Sequence, residues 1–154
     1  MEFITLEPFS IVGISLRTNM SDIAKLQEDM QGLWTRMVKD SIISKIPNKV
    51  SADIYSVYTE YEGDYTKPYT ALLGCKVNSM DNLPDGLVGK SFPGGKYVKV
   101  TASGNIMNGI IGEAWRKIYS TNLDRSYVAD FELYGQGAMN PINAQVDIFV
   151  SVKG

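Results

Sequence analysis

The sequence predicts an α+β fold made of two similar halves. Each half reads strand, helix, strand, strand, and together they form a curved antiparallel sheet with two helices on one side and a ligand groove at the pseudo-twofold junction. Three observations carry this prediction. Strand-period and helix-period apolar patterns recur in the same order twice along the chain. The stretch ADIYSVY (Ala52 to Tyr58) returns as ADFELYG (Ala129 to Gly135). The two tryptophans, Trp34 and Trp115, fall at matching places on the two expected helices, with Met30/Ile111 and Met37/Ile118 in step around them. Each half would expose an apolar surface that needs the other, so residues 1–154 are expected to form one domain with half-repeats near 1–79 and 93–154.

Phe9 to Thr18 (FSIVGISLRT) is β-branched and apolar, which predicts a strand opened acceptably by Pro8. Asn19 to Asp22 then supplies cap residues. Ile23, Leu26, Met30, Leu33, Trp34 and Met37 step by three and four and predict an amphipathic helix to about Lys39. Ser41 to Ser51 breaks that period around Pro47 and Asn48 and is expected as a loop. Ala52 to Tyr61 and Tyr69 to Val77 predict two strands joined by a polar turn. Asn78 to Gly95, rich in Pro, Gly, Asp and Asn, is expected to link the halves, with Phe92-Pro93-Gly94-Gly95 as a turn rather than a phosphate loop, since it lacks a Lys-Ser/Thr ending. The second half then runs through a strand at Lys96 to Ala102, a helix with Ile106, Ile110, Ile111, Trp115 and Ile118 on one face, the ADFELYG strand, and a last strand at Gln145 to Lys153.

The composition narrows the chemistry. With 44% hydrophobic and 21% charged residues, the chain can bury a real core. Its 15 basic and 17 acidic residues are spread without a basic cluster, so direct nucleic-acid binding is not expected. No run approaches the roughly 18 apolar residues of a membrane span, and the opening MEFITLEPFS has no secretory pattern. Cys75 stands alone in a strand-like context, which fits a buried thiol in a reducing cytoplasm. Histidine is absent, and with it the usual general base of Ser or Cys triads and the commonest zinc ligand. No metal and no cofactor are expected, and any chemistry must rest on carboxylates, tyrosine hydroxyls or lysine.

Glu132 is the candidate of interest, a carboxylate in the middle of an otherwise apolar and aromatic strand. Alternation puts it on the side of Asp130 and Tyr134, with Phe131 and Leu133 facing the other way. If Phe131 and Leu133 pack under the helix, Glu132 and Tyr134 turn into the space the halves enclose, and the echo places Tyr55 and Val57 against the same space. An aromatic-walled cavity with one acid suits a lipophilic cation, because ring faces attract positive charge and the acid supplies the counter-ion. Ordinary readings stand beside this one. A strand Glu most often faces solvent, a Trp on the apolar stripe of a helix is usually core, and Tyr55, Tyr58 and Tyr134 serve equally well as filling for a sheet surface.

Taken together, IVGISLRT, the helix ending LWTRM, IPNKV followed by DIYSVYTEY, DNLPDGL with FPGGKYVKVTASG, EAWRKIY, DFELY and the closing VDIFVSVK resemble the GyrI-like (gyrase-inhibitor-like) effector-binding domains over nearly the whole chain. These domains occur alone or at the C-terminus of AraC-type and MerR-type multidrug-responsive regulators. The resemblance implies a stand-alone, cytoplasmic small-molecule binding module for lipophilic, cationic compounds. It implies Glu132 as the acidic determinant and Trp34, Tyr55, Trp115 and Phe149 as aromatic lining, which Tyr134 joins from the alternation above. Catalytic residues are not expected. Two alternatives within the resemblance are a hydrolase of strained cyclopropane-type electrophiles using Glu132, and an inhibitory protein whose partner is DNA gyrase or a regulator.

Overall fold

The computed structural model describes residues 1–154. In chain order the strands and helices are β1 (Glu2–Leu6), β2 (Phe9–Thr18), α1 (Ile23–Lys39), α2 (Ile42–Lys45), β3 (Ile54–Thr59), β4 (Tyr69–Val77), β5 (Val88–Phe92), β6 (Gly95–Gly104), α3 (Ile110–Ser120), β7 (Ala129–Tyr134) and β8 (Ala144–Ser151). The strands form one antiparallel sheet ordered β1-β6-β8-β7-β3-β4-β2-β5. Read from the centre outward, β3-β4-β2-β5 mirrors β7-β8-β6-β1. This is the duplicated architecture the pattern predicts, with the two halves meeting along β3 and β7.

Four elements depart from the expectation. The helix expected to include Ile106 begins only at Ile110, with Ile106–Asn108 a separate 3-10 turn before Gly109. Glu2–Leu6 and Val88–Phe92 are edge strands rather than a plain opening and a plain link, and Ser41 to Ser51 contains a single helical turn. That turn exists because Ile42 and Ile46 drop into the core on either side of it, after which Pro47 ends the run. The edge strands are swapped. β1 leads directly into β2 of the first half yet pairs with β6 of the second, and β5 leads directly into β6 yet pairs with β2.

Those swaps dictate the curvature. Only Glu7 and Pro8 join β1 to β2, and only Pro93 and Gly94 join β5 to β6. A two-residue link spans about 11 Å at most, so opposite ends of the sheet must curl toward each other. They meet at Gly94, where an added Cβ would lie 2.4 Å from the Leu6 carbonyl oxygen. Inside the curl sits an aromatic core of Phe9, Phe92, Tyr97, Phe131 and Phe149, with the last two rings stacked at 4.6 Å.

The helices occupy the outer face. Leu33 and Met37 of α1 pack with Val12, Ile14 and Leu73, while Ala114 and Ile118 of α3 pack with Val98, Val100 and Ile148. Asp22 caps α1 by accepting the Lys25 backbone N–H at 3.1 Å, and Gly109 enters α3 with φ +74°, a left-handed conformation that glycine adopts without steric cost. Since α1 rests on β2 and β4 and α3 on β6, neither helix roofs the central pair β3 and β7. A groove therefore runs over the junction of the halves.

Candidate functional site

The floor of the groove is set by sheet register. Ser56 of β3 lies directly opposite Glu132 of β7, and Tyr58 and Tyr134 flank that pair on the same outer face. Glu132 is 4% exposed, and its carboxylate accepts three hydrogen bonds. Tyr58 donates to Oε2 at 3.0 Å, the Trp115 indole Nε1–H donates to Oε2 at 2.7 Å, and Tyr134 donates to Oε1 at 2.5 Å. No Lys or Arg pairs with it. Burial pushes the Glu132 carboxyl above its usual range, while the three donors pull the other way. Burial and the neighbouring Glu132 charge hold the Tyr58 and Tyr134 hydroxyls above the usual tyrosine range, so both remain donors.

These contacts locate the pseudo-twofold. Trp115 meets Tyr58 edge-on at 5.8 Å, and Trp34 meets Tyr134 edge-on at 5.0 Å. Tyr58 is thus the counterpart of Tyr134, Trp115 of Trp34, and Ser56 of Glu132, with the axis passing between the last two. The ADIYSVY/ADFELYG echo, which sets Tyr55 against Glu132, is one residue out of step. Because side chains alternate, a one-residue slip moves a residue to the other face. Tyr55 and Val57 accordingly point into the curl, where Tyr55 lies 5.6 Å from Phe131.

The corrections to the expected lining follow. Phe131 and Leu133 do not pack under a helix. They face the inner aromatic core, and it is Glu132 and Tyr134 that look toward the helices. Phe149 pairs with Phe131 across β7 and β8 and shares that inner face, so neither Tyr55 nor Phe149 reaches the groove. Glu132, Trp115, Trp34 and Tyr134 do reach it.

On the Trp115 side a cavity of about 290 Å³ holds Glu132 in its wall among Tyr58, Tyr61, Tyr69, Trp115 and Tyr119, with Met30 and Leu26 of α1 opposite. Tyr65, from the turn after β3, stacks on Tyr119 at 4.3 Å and closes one end. Most of these tyrosines escape a reading based on repeated motifs. The signal that finds Tyr58 is alternation combined with antiparallel register, since it shares a face with Ser56 and hence with Glu132.

Behind this cavity a second acid is fully spoken for. Asp130, on the same face of β7, pairs with Arg125 at 2.6 Å and accepts from the Tyr61 hydroxyl at 2.6 Å and the Ser151 backbone N–H at 2.9 Å. The Arg125 guanidinium also lies 4.5 Å from the centre of the Tyr127 ring. This network ties β7 to β8 and to the loops that carry Tyr61 and Tyr127. It leaves Glu132 as the acid in the cavity wall with no cation paired to it, although Arg125, held by Asp130, and Arg116 line the same cavity.

Comparison with known proteins gives a consistent picture. The family model for Cass2, the integron-associated effector binding protein, matches residues 2–152. The Bacillus subtilis (strain 168) protein YobU, named as a candidate transcriptional regulator, is 28% identical over 145 residues, covering 92% of this chain and 90% of its own. Among solved structures, an integron cassette protein from the mobile metagenome of Vibrio cholerae superposes with a TM-score of 0.77 at 22% identity, over 99% of this chain and 95% of the other. The protein SAV2435, solved bound to tetraphenylphosphonium, superposes with a TM-score of 0.79 at 17% identity, over 99% and 93% of the two chains. At these identities the superpositions establish a shared fold. No helix of the chain is long and apolar enough to cross a membrane.

Proposed function

The chain belongs to the family of integron-associated effector binding proteins, and from that premise we propose that it binds lipophilic cations in the groove between α1 and α3, with Glu132 as counter-ion, as a sensor or sequestering module. The observation that carries this reading is the Glu132 carboxylate, buried beside a tyrosine and tryptophan wall with three neutral donors and no ion-pair partner, the two arginines of the cavity lining, Arg116 and Arg125, forming no salt bridge to it. Neutral donors satisfy its hydrogen bonding but leave its charge uncompensated in a medium of low dielectric. An aromatic cation entering the cavity supplies that compensation and meets ring faces on the way. That SAV2435, a protein of the same fold, was solved with a phosphonium cation supports the ligand class.

Binding is favoured over catalysis by how the carboxylate is used. Of its roughly four lone-pair positions, three are occupied by donors from the protein, which leaves little capacity to hold and activate a water. The test is calorimetry with tetraphenylphosphonium and neutral triphenylphosphine oxide on the native chain and on Glu132→Gln. The amide can keep its oxygen on Trp115 and Tyr58 while its NH2 donates to a rotated Tyr134 hydroxyl, so the fold should persist. Cation binding should weaken by about 1 to 3 kcal/mol, the scale of a charge-assisted contact, with neutral binding unchanged. Equal cation affinity in the two proteins would remove Glu132 from the role of counter-ion.

A further inference from the structure

The pseudo-twofold that equates Tyr58 with Tyr134 also creates a second recess. On the other side of the Glu132 carboxylate, a cavity of about 780 Å³ is walled by Trp34, Tyr134, Ile54, Ile111 and Met139, with Asp53 at its lip. Its wall repeats that of the first cavity, for Trp34 stands edge-on to Tyr134 as Trp115 stands to Tyr58. Each tyrosine donates to a different oxygen of the same carboxylate. The second recess is the roomier of the two, well inside the range of about 300 to 1,000 Å³ typical of small-molecule pockets, whereas the first lies at its lower bound. Its mouth carries an apolar side chain left in solvent, Met139 at 79% exposure.

We propose that this recess is a second binding site for an aryl-rich lipophilic cation, so that one chain holds two cations on opposite sides of Glu132. The ligand class rests on the function proposed above, whereas the existence of the site rests on the repeated geometry. Charge complementarity supports the same occupant. Asp53 forms no ion pair, and a Cβ at Gly135 would come within 3.3 Å of its Oδ1, which places the acid against the β7 end of the recess. Two cations would then meet two carboxylates, Glu132 in the first cavity and Asp53 in the second, with Tyr134 between Glu132 and the second recess. Because the second recess offers only the half-exposed Asp53 as counter-ion and the two cations repel each other through a low-dielectric floor, the second should bind on the order of tenfold more weakly than the first.

The chain contains its own reporters, since its two tryptophans stand one in each cavity. Trp115→Phe leaves Trp34 to report the second recess, and Trp34→Phe leaves Trp115 to report the first. Titration with tetraphenylphosphonium should give a saturable change in both, with the Trp34 curve displaced about tenfold to higher concentration, and equilibrium dialysis of the native chain should approach two cations per chain. Ala138→Arg, on the wall of the second recess only, should silence Trp34 and reduce the stoichiometry to one while leaving the Trp115 curve in place. One cation per chain, with Trp34 silent at saturation while Trp115 responds, overturns the second site and leaves the proposed function standing. Silence from both tryptophans overturns both.

Discussion

At the scale of the residue, the counter-ion role proposed for Glu132 would couple ligand, proton and stability. Its pKa is raised from the ordinary 4.5 chiefly by burial. Below that ordinary value the carboxyl is protonated in both folded and unfolded chains, so its contribution to stability is fully present there. As pH rises through the elevated folded value, the unfolded chain has already ionised and the contribution is lost. A bound cation reverses the preference by favouring the carboxylate, so binding from the protonated state must release a proton. Phosphonium affinity should therefore climb with pH by up to about tenfold per unit until the raised pKa of the free protein is passed, and stay flat above it. Glu132→Gln should abolish the slope. Calorimetry from pH 4.5 upward, in buffers of differing ionisation enthalpy, measures both the slope and the proton, and a pH-independent affinity with no proton released would refute the coupling.

The same scale shows what the sequence could and could not say about the site. Glu132 was legible because a charge in the middle of an apolar strand is anomalous on its own strand, with no knowledge of its neighbours. Tyr134 followed from alternation, and the two tryptophans from helix periodicity. Tyr55 was misplaced because a motif echo aligns letters whereas a sheet aligns faces, and the two differ here by one residue. Phe149 enters the expected lining through the family resemblance alone, against the pattern of its own strand. Alternation along that strand sets Val146, Ile148 and Val150 on the face that meets α3 and leaves Phe149 on the other face beside Gln145 and Asp147, where it pairs with Phe131.

At the scale of the element, the strands and helices with strong periodicity were legible and the two edge strands were not. Glu2–Leu6 is mostly exposed and Val88–Phe92 is interrupted by Gly89 and Lys90, so neither shows a sustained apolar alternation. Each is a strand because a partner from the other half presents an open edge. Their short links have a measurable consequence at Gly94, where an added Cβ would sit 2.4 Å from the Leu6 carbonyl oxygen and 2.9 Å from the Pro8 nitrogen. Those neighbours are backbone and cannot rotate away. Gly94→Ala should cost about 1 to 3 kcal/mol, the usual penalty of overpacking, without changing cation affinity at the distant groove. Urea denaturation measures the first and calorimetry the second, and native stability in the Gly94→Ala chain would show that the two links do not press on each other.

At the scale of the molecule, the swapped edges bind the halves into one cooperative unit. A fold made of two similar halves joined only along β3 and β7 could lose one half while keeping the other, as repeat proteins do when the interfaces between units are weak. Here β1 leaves the first half to complete β6, and β5 leaves the second to complete β2. Opening either half strips an outer strand from its partner and exposes the shared core of Phe9, Phe92, Phe131 and Phe149. The halves should therefore unfold together. Trp34 lies on α1 of the first half and Trp115 on α3 of the second, so Trp115→Phe and Trp34→Phe chains each report one half, and backbone circular dichroism of each chain reports both. Within either chain, the tryptophan and backbone transitions in urea should coincide in midpoint and slope, the signature of two-state behaviour. A tryptophan transition displaced from the backbone transition in the same chain would mean that the swap does not couple the halves, and that the groove between them can open without global unfolding.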